Sequence, residues 1–362
     1  MPRLLLLTWC LACGGSPTPA DAGAMRGDVG EVADADGTSD APSMPICEVE
    51  AAPSVPIGQP LVGLRATGNP RTEVGIVFAE TTDGVVGRLF GSGEDRPLDL
   101  GLSRVVDLDS SSGLSGELLV LGDDAEGHAA HRLGPDGTRI ARVSLPFRAS
   151  TAVLTDRLVA VDAEGLQVVV LNPTTGEEQA SSPIGASEGA RLRRDGDGRA
   201  VLFVHDHEGI RRSPLASDAT ASATTTLDGS FVAFDASERY LVGLDADGGL
   251  IARFGTGGTT DTENPTTIPG STGTGVVLGL SDDHDVAISV HRADDRSVLV
   301  LHPLSTGAPE LTTVLAESDG EVAVAVAGIG GYRTFPQFRV FWGRLGQAEP
   351  VQSAWVSCPY LF

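Results

Sequence analysis

The chain has 362 residues, a formal net charge of −24, 46 glycines, 22 prolines and few aromatic side chains. All 25 basic residues are arginine, and so acidic a surface repels phosphate backbones and argues against a nucleic-acid partner. The length allows a large core, and the glycine- and proline-rich composition suits a turn-rich β protein.

The chain opens with Met1-Pro-Arg3 and a nine-residue stretch, Leu4 to Ala12, that is apolar except for Thr8. That is far shorter than the ~20 residues of a membrane-spanning helix, and it has the form of a signal-peptide core over residues 1–12. It runs into Cys10-Leu11-Ala12-Cys13-Gly14-Gly15-Ser16, which resembles the lipobox of bacterial lipoproteins. The resemblance implies lipid attachment at Cys13, and Gly14 after the cysteine implies the outer membrane. An ordinary secretory signal cleaved nearby is the competing reading. Residues 14–44 lack hydrophobic periodicity and are rich in Ala, Gly, Asp, Ser and Pro, so 13–44 is expected to be a lipidated cysteine followed by a disordered acidic tether. Within it, Asp34 to Asp40 lacks the register and the final glutamate of a calcium loop. Setting aside Arg3 and the tether's excess of five acids leaves −20 on residues 45–362.

From residue 45 onward the sequence repeats. A turn is followed six residues later by an apolar landmark, seven times: Gly84 to Phe90, Gly127 to Leu133, Gly165 to Leu171, Gly209 to Leu215, Gly248 to Phe254, Asp295 to Leu301 and Pro336 to Trp342. By subtraction the landmarks lie 43, 38, 44, 39, 47 and 41 residues apart. This is the size of a four-stranded propeller blade, about 40–45 residues, so the expected fold is all-β: a seven-bladed β-propeller of four-stranded blades spanning 45–362. In the second repeat, Val105–Leu108, Glu117–Leu121, His128–Leu133 and Ile140–Leu145 are predicted as strands A to D. In the last, Val322–Val326, Tyr332–Phe335, Phe338–Trp342 and Ser353–Val356 fill those places. The innermost strands Val276–Leu280 and Val322–Val326 are mostly apolar or small, which disfavours the converging polar and charged groups that an enzyme site in the central channel needs.

After removal of Cys10 and lipidation of Cys13, Cys47 and Cys358 remain at the two ends of the repeat domain. A closed ring brings its ends together and an exported protein meets an oxidising compartment, so a Cys47–Cys358 disulfide is expected, two separate thiols being the alternative. Such a link over a loop of about 310 residues constrains the unfolded chain by several kcal/mol, on the order of 4–5.

Val168-Val-Val-Leu-Asn-Pro-Thr-Thr-Gly176 resembles the V-x-V-x-(D/N)-x-x-T-G run of quinoprotein-like and YVTN-type propellers, with a looser copy from Val298 to Gly307. Asp235–Leu241 resembles the turn of WD40-like and periplasmic TolB-type propellers. These resemblances imply the fold and no particular activity.

Chemistry-bearing residues have plain structural readings beside them. Acids at the B–C turns (Glu80, Asp83, Asp123, Asp124, Glu126, Asp162, Glu164, Asp206, Glu208, Asp245, Asp247, Asp294 and Asp295) form a possible collar, but Asp-Gly and Glu-Gly are favoured turn chemistry. The A–B turns are expected to carry acids too: Asp195, Asp197, Asp235, Asp282, Asp283 and Asp285. His205 and His207 would share a face if their strand ran through both, whereas His128 and His131 would face opposite sides; a metal would need further ligands from another blade. Gly185-Ala-Ser187-Glu-Gly189 matches G-x-S-x-G without the strand–turn–helix context of a nucleophile elbow. Gly255 to Gly258 opens no helix, and a chain without lysine has no P-loop. No cofactor, catalytic residue or metal ligand is therefore assigned. The reading is an envelope-anchored binding or scaffold module whose partner is a protein or another envelope component, monomeric outside any complex. The alternative is a propeller enzyme, a quinoprotein-like oxidoreductase or lactonase-like hydrolase, with its site in the central funnel.

Overall fold

The computed structural model describes residues 47–358 except 92–94, 111–115, 165, 186, 196, 223, 238, 255–260, 263–267, 269, 281–284, 305–311 and 331–336. Cys13, the tether, Gly165, Pro336, the Tyr332–Phe335 strand and the Gly255–Gly258 run lie outside the described residues. The strands run in chain order from β1 (Glu48–Val55). Blade 1 follows with β2 (Leu61–Asn69), β3 (Val74–Thr81), β4 (Gly84–Gly91) and β5 (Arg96–Leu98), and blade 2 with β6 (Leu102–Ser110), β7 (Leu118–Asp124), β8 (Gly127–Leu133) and β9 (Arg139–Ser144). Blade 3 is β10 (Ala149–Leu154), β11 (Leu158–Asp162), β12 (Gln167–Leu171) and β13 (Glu178–Pro183). Blade 4 is β14 (Gly189–Arg194), β15 (Ala200–Asp206), β16 (Gly209–Pro214) and β17 (Thr225–Asp228). Blade 5 is β18 (Phe231–Ala236), β19 (Tyr240–Asp245), β20 (Leu250–Phe254) and β21 (Asp261–Thr262). Blade 6 is β22 (Thr272–Leu280), β23 (Asp285–Ala293), β24 (Arg296–Pro303) and β25 (Thr313–Asp319). The last three strands are β26 (Val322–Gly328), β27 (Phe338–Arg344) and β28 (Val351–Ser357).

Each blade is an antiparallel meander of four strands, and the seven sheets form a seven-bladed propeller. Blade 7 has the order β26-β27-β28-β1, so the first strand of the domain is the outer strand of the last blade. This corrects the predicted register there. Phe338–Trp342 lies in the second strand rather than the third, Ser353–Val356 in the third rather than the fourth, and Trp342 is out of phase with the other landmarks. The β1–β28 ladder pairs Glu48 with Ser357, and Cys47 and Cys358 stand immediately beyond that pair. They are disulfide-bonded, with Cα atoms 4.1 Å apart across 311 residues of chain.

Strand sequences explain the layering. The second and third strands are packed on both faces, so alternation disappears and nearly every residue is buried, as in Leu158–Asp162 and Gln167–Leu171. The outer β1 is the opposite case, exposed along most of its length and carrying Pro53, which an edge strand tolerates. Among the described residues the core is seven apolar clusters, each at the interface of two adjacent blades. The B–C turns need unusual backbone. At Gly209, φ is +146° and a Cβ would sit 2.2 Å from the Leu227 carbonyl oxygen, so only glycine fits. In the sixth repeat Asp294 takes φ 54°, a conformation that aspartate tolerates.

Candidate functional site: the central channel

The inner strands of blades 1, 2, 4, 5, 6 and 7 line a cavity of about 160 Å³ in the central channel. Its wall has two characters. Blades 6 and 7 contribute Val276, Leu278, Val324 and Val326, the apolar surface predicted from their sequences. Blades 1, 2, 4 and 5 contribute Arg65, Asp107, Asp109, Arg191, Arg193 and Asp235, so charge does converge on the channel, contrary to expectation.

Most of these groups stitch blade to blade. Arg65 Nε donates to the Val106 carbonyl at 2.8 Å, joining blades 1 and 2. Asp107 Oδ2 accepts from Thr151 Oγ1 at 2.5 Å, and Thr151 Oγ1 accepts from Leu192 N at 3.1 Å, carrying the chain of bonds through blade 3 into blade 4. Arg193 Nε donates to the Ala236 carbonyl at 2.8 Å, and Asp235 Oδ2 accepts from Leu278 N at 2.9 Å, reaching blades 5 and 6. Arg193 also lies 3.6 Å from Asp107 and 3.4 Å from Asp235. Burial opposes its charge, but Asp107, Asp235 and Asp109 overcome that penalty and raise its pKa. Arg194 bonds the Ser110 carbonyl, and its Nε sits 3.7 Å from Asp109. Burial raises the Asp109 carboxyl, against the pull of Arg194 and Arg193.

Asp235 and Asp285 are not A–B turn acids: Asp235 faces the channel, and buried Asp285 opens β23, paired at 2.7 Å with Arg239 of blade 5. Asp282 and Asp283 lie outside the described residues. Several B–C turn acids bind their own turns, as where Asp245 Oδ1 accepts from Asp247 N and Gly249 N. Glu80 instead accepts from Val105 N of blade 2 at 2.5 Å. His205 and His207 share no site: β15 ends at Asp206, His205 packs against Phe231 and Phe234, and the His207 side chain is 83% exposed. His128 bonds Asp123 at 2.6 Å, while buried His131 is 3.3 Å from Asp124. Gly189 of the G-x-S-x-G run begins a strand, and Glu188 N is bonded to the His205 carbonyl, so Ser187 is on an inter-blade connection. Among the described residues, no three His, Cys, Asp or Glu side chains are grouped to hold a metal.

A buried group in blade 6 was missed. Ser289 Oγ lies 2.7 Å from His291 Nε2 and 2.6 Å from His302 Nε2, with all three residues inside the sheet packing. Burial lowers both imidazoles, His302 to about 3. The group is shut away from the channel and is structural.

No family model matches the chain, and no curated protein matches it. Solved structures do. The WD40 domain of Toxoplasma gondii coronin aligns at 13% identity over 89% of this chain and 89% of its own, with a TM-score of 0.54. The β-propeller domain of Myceliophteria thermophila Cps50 (Swd1) aligns at 12% identity over 86% of this chain and 100% of its own, with a TM-score of 0.57. At such identities the likeness is one of fold.

Proposed function

We propose that this protein is an exported, lipid-anchored propeller that acts as a binding or scaffold module at the cell envelope. Cys13 is the lipid site, 13–44 the tether and 45–362 the binding domain. The observation that supports binding over catalysis is how the channel spends its ionisable groups. Asp107, Arg193 and Asp235 are held in inter-blade bonds, so none is poised as a free acid, base or nucleophile. A protein partner at the envelope is compatible with the fold, since propellers present broad rims and turn faces around a rigid ring.

The test is equilibrium dialysis of the purified mature protein against a metabolite pool, followed by mass spectrometry of what it retains. A compound retained and recovered intact supports a binding module. A compound consumed, with its product accumulating, moves the protein to the propeller enzymes.

A further inference from the structure

Resting on that binding reading, the geometry points to a ligand class: a small organic anion, one carboxylate on an apolar body, held in the central channel by Arg191 and Arg65. Arg193 donates to the Ala236 and Leu192 carbonyls and faces Asp107 and Asp235. Arg194 is buried against Asp109 and the Ser110 carbonyl. Arg191 and Arg65 are different. Each guanidinium carries five N–H donors. Arg191 gives one bond, from Nη1 to the Ala190 carbonyl at 3.1 Å, and Arg65 gives one, from Nε to Val106. Neither has an ion-pair partner among the described residues.

Arg191 is also pre-set. Its guanidinium carbon lies 5.8 Å from the Phe234 ring centroid, a contact that orients the cation without using its donors. The channel acids do not cancel these charges. Asp107 and Asp235 accept from Thr151 and Leu278 N and share Arg193, and Asp109 faces Arg194. Two guanidinium groups with spare donors thus line one cavity in a domain of net charge −20, the charge left on residues 45–362 once Arg3 and the five-acid excess of the tether are set aside. A carboxylate matches their fork of donors. In the same cavity Val276, Leu278 and Val324 supply a surface for an apolar body. The cavity of about 160 Å³ is small beside the ~300–1,000 Å³ of drug-sized pockets, so the body is a single ring or a short chain.

The experiment is calorimetric titration of the full-length mature protein with benzoate, its neutral isostere benzamide, and inorganic phosphate. For a ligand this small, benzoate is expected to bind saturably with a Kd of about 1 mM or tighter, and benzamide at least ~10-fold more weakly. Arg191→Gln and Arg65→Gln should each weaken benzoate, the former by ~10-fold or more, with the melting temperature within a few degrees of wild type. Should Arg191→Gln fail to fold, Arg65→Gln and the benzoate-to-benzamide ratio carry the same test. Equal binding of benzoate and benzamide, phosphate binding as tight as benzoate, or no saturable benzoate binding overturns the inference. If dialysis meanwhile retains a compound whose binding ignores both substitutions, the binding module survives and only the ligand class falls.

Discussion

Arg339 is where removing one side chain should open the ring. It lies on β27 with no solvent exposure, its guanidinium carbon 4.9 Å from the Phe90 ring centroid, 5.0 Å from Phe341 and 4.8 Å from Trp355. Nη1 and Nη2 reach the two oxygens of Asp95 in blade 1 at 2.8 and 2.7 Å, and Nη2 donates to the Pro53 carbonyl of β1 at 2.8 Å. One cation therefore ties blade 7 to blade 1 and to the strand that closes the ring. Deleting one partner of a buried pair costs about 3–5 kcal/mol, and the lower half applies because the Asp95 side chain keeps 24% exposure. Lost ring contacts add about 0.5–2 kcal/mol, so Arg339→Ala should destabilise by about 3.5–6 kcal/mol. Arg339→Met with Asp95→Asn keeps the volume and removes both charges, and should recover more than half of that loss. Urea unfolding followed by tryptophan fluorescence gives the energies, and amide hydrogen exchange gives the location. Protection should fall first in β1 and β28 while blade 4 keeps its own. A loss below about 1 kcal/mol, or exchange rising evenly round the ring, would refute the latch.

Three other outcomes are expected. His131 and His302 are held neutral by burial, with pKa near 4 and 3 against an ordinary 6.5, so below pH 6.5 the unfolded chain binds protons that the folded chain refuses. Each of these two imidazoles should cost about 1.4 kcal/mol per pH unit on acidification from pH 6.5 to about pH 4, with His291 acting in the same direction and Asp109 against them, and a flat melting temperature between pH 6.5 and 4.5 would contradict this. Asp124, held low chiefly by its hydrogen bonds from Arg142, adds its own loss only below its ordinary 3.8. Cys358→Ser should cost about 5 kcal/mol by denaturant midpoint, less whatever the β1–β28 ladder retains; equal stability with and without reductant would show that pairing alone holds the ends. Asp235→Ala strands Leu278 N and weakens the hold on Arg193, and should cost about 2 kcal/mol with exchange rising in β18 and β22, whereas a change within 0.5 kcal/mol would make the stitch dispensable.

The blade count was legible because one strand recurs in phase. Phe90, Leu133, Leu171 and Leu301 are buried landmarks on third strands, and repetition amplifies a weak local signal. Blade 7 was misread because its outer strand is supplied from the other end of the domain. Glu48–Val55 carries two glutamates and a proline and buries little, so it has no alternation to find. The channel charges were missed for a different reason. Reading Val276–Leu280 and Val322–Val326 sampled the two apolar blades. Arg65, Asp107, Thr151, Arg193 and Asp235 recur every 42 to 44 residues, one polar residue on the inner strand of each of blades 1 to 5, and that periodicity was present in the sequence. Asp235 and Asp285 looked like turn acids because aspartate beside small residues is common in turns; their roles come from neighbouring blades, which local pattern does not encode. The uncommitted donors of Arg191 and Arg65 depend on which bonds form between blades, which the folded chain sets and local sequence does not.

The most direct test of an exported, lipid-anchored, ring-closed binding module is mass spectrometry of a non-reduced digest of the mature protein taken from native envelopes. The expected result is an N-terminal peptide beginning at Cys13 and carrying lipid, in the same digest as a linked pair of peptides containing Cys47 and Cys358. A soluble protein with an unmodified N-terminus would end the anchor, and free thiols at both Cys47 and Cys358 would end the covalent closure.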